Sequence, residues 1–303
     1  MSRVRVFQVD AFTHQPFSGN PAGVVLDAEQ LDARQMQLIA RELGNGDTAF
    51  VLPADGADHD LRVRFFTPRS EVGFVGHATV AAHAVLADLG LAARHRQKQR
   101  TGIVAIDRIE SSRGPHFSFT QPAPKLQGPI SAERRAALIE ALGLAAADLD
   151  QRCPATLAGE HSTRNLIAVR DGSVLASLKP DLARLTALAA TGGAPGTFVY
   201  TLRPVRPDCD TEARMFCPAL GIPEDPVSGN AHAMLAVLLC QLNLLPGGTQ
   251  RARFRARQGH HMDRAGELEV GVHFQGGELS SVSVSGTAVV VFATSIAVTE
   301  LAA

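Results

Sequence analysis

Neither sign of charge is in excess in this sequence: 29 Lys and Arg stand against 30 Asp and Glu over 303 residues. A general nucleic-acid binder shows a basic excess or stripe, so that class is disfavoured. The two short basic stretches, Arg94 to Arg100 and Arg251 to Arg257, read as solvated faces or edge-strand protection. No run approaches the roughly 18 uninterrupted apolar residues of a membrane span. The first residues, Met1-Ser-Arg-Val-Arg-Val-Phe, follow an alternating strand pattern rather than a signal-type apolar core. Only four cysteines occur (Cys153, Cys209, Cys217, Cys240), with no CxxC spacing and no disulfide framework. The expectation is a cytoplasmic protein with neither nucleic-acid nor membrane partners. Phosphate-loop and nucleophile-elbow motifs are missing. The eleven histidines are scattered, with His260-His261 standing alone, so no metal site is expected. Gly44-Asn-Gly-Asp-Thr-Ala fits a loose dinucleotide pattern, but it follows a helix and precedes a strand, the reverse of what that fingerprint needs.

What is present is period-two patterning. Arg3 to Asp10, Thr48 to Leu52, Leu61 to Phe66, Gly102 to Arg108 and His116 to Gln121 read as strands. So do Asn165 to Arg170, Thr197 to Leu202, Glu212 to Phe216, Arg251 to Arg257, Leu268 to Phe274 and a long run from Leu279 to Val298. Two helices are amphipathic. Asp32 to Leu43 carries Met36, Ile39, Ala40 and Leu43 on one stripe, and Ser131 to Leu144 has Ser131 as a cap. Two others, His77 to Leu89 and Asn230 to Leu239, are apolar or small almost all round and must be covered all round. In a strand-rich chain the cover is a sheet curling round each helix. The expected class is α+β: two pseudo-symmetric halves, each a mostly antiparallel β-barrel around a central helix. The domains would be 1–125 and 126–303, with the last strands able to cross back to the first.

The halves echo one another. Phe66-Thr67-Pro68 leads past Glu71 to Gly76-His77-Ala78, and Phe216-Cys217-Pro218 leads past Glu224-Asp225 to Gly229-Asn230-Ala231. One copy per half is a two-fold repeat rather than a solenoid. The first turn of a helix has unpaired N–H groups and a partial positive charge, and a glycine ahead of it lets an anion approach. The alternative reading of Gly76 and Gly229 is a tight strand-to-helix turn alone. Near these starts lie three ionisable residues: His77, kept neutral by the dipole; Asp225, otherwise a turn carboxylate; and Asp47 in Gly44-Asn-Gly-Asp-Thr-Ala-Phe, otherwise a turn aspartate.

Asp10-Ala-Phe-Thr, Gly19-Asn-Pro-Ala-Gly-Val, Phe66-Thr-Pro-x-x-Glu-Val, Gly76-His-Ala-Thr and Glu224-Asp-Pro-Val-Ser-Gly-Asn-Ala, with Arg257-Gln-Gly and Ser285-Gly-Thr-Ala, resemble the PhzF-like phenazine-biosynthesis isomerase family. The resemblance spans nearly the whole chain. It implies the diaminopimelate-epimerase-like fold with the site between the halves, a homodimer, and proton movement without metal or organic cofactor. The best-understood member acts on trans-2,3-dihydro-3-hydroxyanthranilate. By resemblance its catalytic glutamate falls on Asp47, its histidine on His77, its aspartate on Asp225 and its serine on Asn230, with Gly76 and Gly229 forming the anion cradle. Two departures stand out. Asp47 is one methylene shorter than the family glutamate, where geometry tolerates little more than ~0.5 Å, and Asn230 replaces a hydroxyl by an amide. The expected activity is a cofactor-independent isomerase moving a proton on a small carboxylate-bearing substrate. Asp47 would act as base and then acid, its pKa raised from ~3.9 by burial. A catalytically degenerate small-acid binding protein and a two-base epimerase are the alternatives. The related two-thiol racemases need a cysteine pair, which neither helix start has.

Overall fold

The computed structural model describes residues 2–90, 94–111, 114–160, 162–246 and 253–298. In chain order the first strands are β1 (Ser2–Ala11), β2 (Asn20–Leu26), β3 (Asp47–Pro53), β4 (Leu61–Phe66), β5 (Glu71–Val72), β6 (Arg94–Gln99), β7 (Gly102–Ile109) and β8 (His116–Pro122). There follow β9 (Leu126–Pro129), β10 (Thr156–Ala158), β11 (Arg164–Ala168), β12 (Gly196–Thr201), β13 (Thr211–Cys217) and β14 (Ile222–Asp225). The last are β15 (Arg253–Gln258), β16 (Gly266–Gln275), β17 (Glu278–Gly286) and β18 (Ala288–Val298). The helices are α1 (Ala33–Leu43), α2 (Gly76–Asp88), α3 (Ala132–Ala141), α4 (Gly172–Ser177), α5 (Leu182–Ala190) and α6 (Gly229–Gln241). None of the described helices is long and apolar enough to cross a membrane.

The chain divides into two units: the first runs to Thr120 and takes back the segment from Ser285 onward, and the second is Gln121–Val284. The reason is register. The run read as one strand from Leu279 to Val298 breaks at Gly286-Thr287, and β18 then pairs antiparallel along the whole of β1, from Ser2↔Val298 to Ala11↔Ala288. Of the basic stretch from Arg251, residues 251 and 252 lie outside the described residues, and β15 begins at Arg253.

Inside each unit the strand connections repeat. In the first, β1 pairs antiparallel with β2, β2 parallel with β3, β3 antiparallel with β4, β4 antiparallel with the short β5 and parallel with β6, and β6 antiparallel with β7. In the second, β10, β11, β12, β13, β14, β15 and β16 reproduce that series with the same directions. Most pairs are antiparallel, and each parallel step is bridged by a helix, as a parallel connection requires.

Helices α2 and α6 are the cores of their units. Ala78 to Leu86 of α2 is buried without interruption, and so is Ala231 to Leu239 of α6. The former packs on β1, β2, β3 and β18, the latter on β16 and β9. The peripheral helices differ. Helix α1 buries only Met36 and Ala40; Asp32 accepts from the Gln35 N–H at 2.7 Å while Gln35 Oε1 accepts from the Asp32 N–H, a capping box. Ser131 caps α3 by accepting from the Arg134 N–H.

Two histidines lie inside these cores. His83 donates from Nε2 to Gln97 Oε1 at 2.9 Å, and Gln97 donates on to Gln99. The basic stretch that contains Gln97 and Gln99 is therefore two-faced: Arg96 and Lys98 pair outside with Asp60 and Asp55, and the glutamines satisfy a buried histidine inside. His232 of α6 is fully buried with its ring edge-on to Phe198 at 4.9 Å. Burial pushes its pKa down to about 3, with Gln258 pulling the other way. The unfolded chain thus binds this proton near pH 6.5 and the folded chain does not. The stability from keeping the ring neutral is fully present above pH 6.5 and is lost as pH falls toward 3. Between pH 7.5 and 5 this histidine alone should cost about 2 kcal/mol. His232→Phe should flatten the urea-midpoint profile over that interval by this amount; an unchanged slope would refute the assignment.

Candidate functional site

In the first unit the candidate residues come from two elements. Gly44 ends α1 in the left-handed region (φ 69°), and Asn45 is held to Gln8 of β1 by a reciprocal amide pair at 2.8 and 3.1 Å. That anchor sets where β3 begins, at Asp47, in register with Ala22. A Cβ at Gly46 would meet nothing within 4 Å, so the residue before Asp47 lies against open space. Helix α2 begins at Gly76 behind Val75, which makes no side-chain cap. Its first-turn N–H groups are thus not satisfied from the N-cap side chain, the condition under which a helix start holds an anion.

Asp47 and His77, thirty residues apart, meet at this point. Asp47 Oδ2 lies 3.7 Å from His77 Nε2, with both side chains largely buried, 15% and 11% exposed. His77 Nε2 is itself buried and has no hydrogen-bond partner. Burial lowers the pKa of His77 to about 4, so the ring is neutral at physiological pH. Desolvation is the cause of that neutrality, and the helix dipole acts in the same direction. The glycine at 76 has a packing reason as well. A Cβ there would come within 2.8 Å of Phe119 Cζ, a buried ring of β8.

In the second unit Asp225 closes β14, and Gln258 ties the following turn together. Gln258 Nε2 donates to the Asp225 carbonyl at 2.7 Å, and its Oε1 accepts from the Ser228 N–H at 3.2 Å. Ser228 caps α6 by accepting from the Ala231 N–H. This helix start therefore has one donor already met, unlike that of α2. Gly229 is buried and Asn230 half-buried. The structure thus brings Asp47, Gly76 and His77 together in one unit, and Asp225, Gly229 and Asn230 in the other.

Two features went unread in the sequence. Arg64 holds Glu71 through Nε and Nη2, both at 2.8 Å, and lies over the Phe66 ring. Arg214 holds Glu224 in the same way at 2.9 and 2.8 Å, over Phe216. Each clamp fixes the short strand that leads to a helix start. The acidic members were visible in the repeated motif; their arginines could be paired with them only through strand register.

All four cysteines are free. Burial raises every thiol, Cys209 and Cys217 to about 12, so none supplies a thiolate near neutral pH. Among the described residues no three His, Cys, Asp or Glu side chains are grouped to hold a metal ion. A cavity of about 160 Å³ bounded by Asp150, Cys153 and Pro154 includes none of the candidate residues.

Comparison with known proteins identifies the family and the fold. A family model described as phenazine biosynthesis-like protein matches residues 9–294. An uncharacterized isomerase of Escherichia coli, YddE, is 40% identical over 299 residues, covering 95% of this chain and 96% of its own. The crystal structure of a PhzF-family phenazine biosynthesis protein of Bacillus anthracis superposes with a TM-score of 0.87 at 27% identity, covering 98% of this chain and 100% of that one. A hydroxyproline epimerase of Agrobacterium vitis, 12% identical with a TM-score of 0.62 over 97% of this chain and 92% of that one, shares the fold alone.

Proposed function

The chain belongs to the PhzF-like family of isomerases, with its diaminopimelate-epimerase-like fold, and on that premise we propose that it moves a proton between carbons of a small, carboxylate-bearing substrate without metal or organic cofactor. One observation carries the reading: a carboxylate, Asp47, faces an unpartnered neutral imidazole nitrogen of His77 at a helix start that has no side-chain cap. Asp47 takes a proton from a carbon next to an unsaturated or carboxylate-bearing group. The electron pair moves into that conjugated system, and the first-turn N–H groups of the helices stabilise the developing negative charge. The Asp47 carboxylic acid then returns the proton to a second carbon, restoring the carboxylate. His77, neutral, orients Asp47 or the substrate rather than acting as the acid, and Asp225 positions the substrate's polar groups.

The test is incubation with a panel of enolisable and dienoic acids in D₂O, using dialysed enzyme with chelator present. Deuterium should enter at the carbon that gains the proton. The rate should show no histidine limb between pH 5 and 8, because His77 stays neutral above about pH 4. Turnover that requires an added metal or coenzyme, or that labels neither substrate nor product, would overturn the reading. The shortened carboxylate at Asp47 favours one second reading, a catalytically degenerate small-acid binder, identified by saturable binding without exchange. Inversion of a stereocentre instead of double-bond migration would identify a two-base epimerase.

A further inference from the structure

Matching the two units by register exposes an exchange of charge. In the first, Thr48 opposes Phe66 across β3 and β4, and Asp47 lies beside Ala22 of β2. In the second, Thr197 opposes Phe216 across β12 and β13, and Gly196 lies beside Arg164 of β11. Gly196 therefore occupies the position of Asp47, and Arg164 that of Ala22. The strand pair that presents a carboxylate in one unit presents a guanidinium in the other.

Arg164 is shaped to use that position. A Cβ on Gly196 would come within 2.7 Å of Arg164 Cδ and 2.9 Å of its Nε, so the glycine is what lets the side chain lie flat across β12. Arg164 Nη1 donates to the Thr163 carbonyl at 2.8 Å, which fixes the guanidinium plane. Its Nε is buried and has no partner. Arg64 and Arg214 grip Glu71 and Glu224 with their Nε and Nη2 donors, and Nε is the donor that Arg164 leaves unused. A buried N–H of a charged group with nothing to bond is costly and calls for an acceptor. Arg164 also borders β13: a Cβ on Gly196 would meet Cys217 Sγ at 2.9 Å as well, and β13 pairs with β14, whose last residue Asp225 leads to the second helix start.

We propose that Arg164 binds the substrate carboxylate, taking one oxygen on Nε and the other on Nη2. Arg164 is then a carboxylate anchor at the register position that, in the first unit, faces Asp47. The inference rests on the proposed function only in treating the second helix start as part of the substrate site.

Matched probes test it without turnover: benzoate against benzamide, and pyrrole-2-carboxylate against its amide, measured by calorimetry. The wild type should bind at least one carboxylate in preference to its amide. Arg164→Met should weaken that binding on the order of tenfold or more, and Arg164→Lys less, since a lysine keeps the charge but not the fork. Asp47→Asn should leave it within about twofold. On the wild-type protein, the bound carboxylate should also protect Arg164 from phenylglyoxal, read by peptide mass, a measurement that needs no variant to fold. Unchanged carboxylate affinity in folded Arg164→Met, no preference of the wild type for any carboxylate over its amide, or absence of protection overturns the proposal. Loss of solvent exchange with Arg164-dependent binding intact would instead strike the proposed reaction and leave the anchor standing.

Discussion

Asp47→Asn should lower solvent-deuterium exchange by about 10³-fold or more, while binding of carboxylate probes stays close to that of the wild type. Asparagine fills the same volume and removes only the basic oxygen, and general acid–base groups contribute roughly 10² to 10⁴ on their own. Asp47→Glu is the more discriminating variant. It restores the family residue but advances the carboxylate by a methylene toward His77, in a site whose geometry is set by the Gln8–Asn45 anchor. A displacement on the order of 1 Å costs about 10²-fold, so exchange should fall by that order even though the chemistry of the group is unchanged. Exchange that survives Asp47→Asn would remove Asp47 from the mechanism. Exchange that rises in Asp47→Glu would show that the native aspartate is a lesion rather than an adaptation.

How far the sequence discloses this arrangement depends on the range of each determinant. Helices α2 and α6 were legible because their burial is written in their own residues: an apolar or small side chain at nearly every position has only one physical resolution. The start of α1 was legible from Asp32 and its apolar stripe. The return of the last strands to the first unit was legible, but the register of β18 on β1 was not, since nothing local in Ala288–Val298 distinguishes one antiparallel partner from another. The short β5 and β14 escaped notice because two or four residues carry no period. At the site, Gly76 reads as a helix-start glycine, but Phe119, forty-three residues on, supplies half of its reason. The approach of Asp47 to His77 depends on where β3 starts, and that depends on a side-chain pair with Gln8 which no periodicity reports. Their assignment to one site came from family resemblance. Arg164 could not be singled out at all before the register of β11 and β12 placed it opposite Gly196.

The repeated arginine–glutamate clamp offers a stability experiment with an internal control. Arg64–Glu71 and Arg214–Glu224 share sequence context, bidentate geometry and an aromatic ring beneath the guanidinium, 5.2 Å and 5.0 Å from its centre. They differ in burial: side-chain exposure is 32% and 28% in the first pair, but 10% and 15% in the second. Arg214 also donates from Nη1 to the Leu178 carbonyl at 3.2 Å and, at 3.4 Å, to that of Leu175. Arg64→Met breaks a pair that water can reach, so the loss should be about 1 kcal/mol or less. Arg214→Met leaves Glu224 desolvated and unpaired together with two carbonyls at the end of α4, and should cost about 3–5 kcal/mol. The cation–π contributions are nearly matched and cancel in the comparison. Adding Glu224→Leu to Arg214→Met removes the stranded charge and should recover part of the loss, though not all, because the carbonyls of Leu175 and Leu178 remain without their donor. Urea denaturation of the four proteins measures this directly. Equal costs for the two single variants would show that burial is not what separates the clamps. Full recovery in the double variant would show that Arg214 serves Glu224 alone.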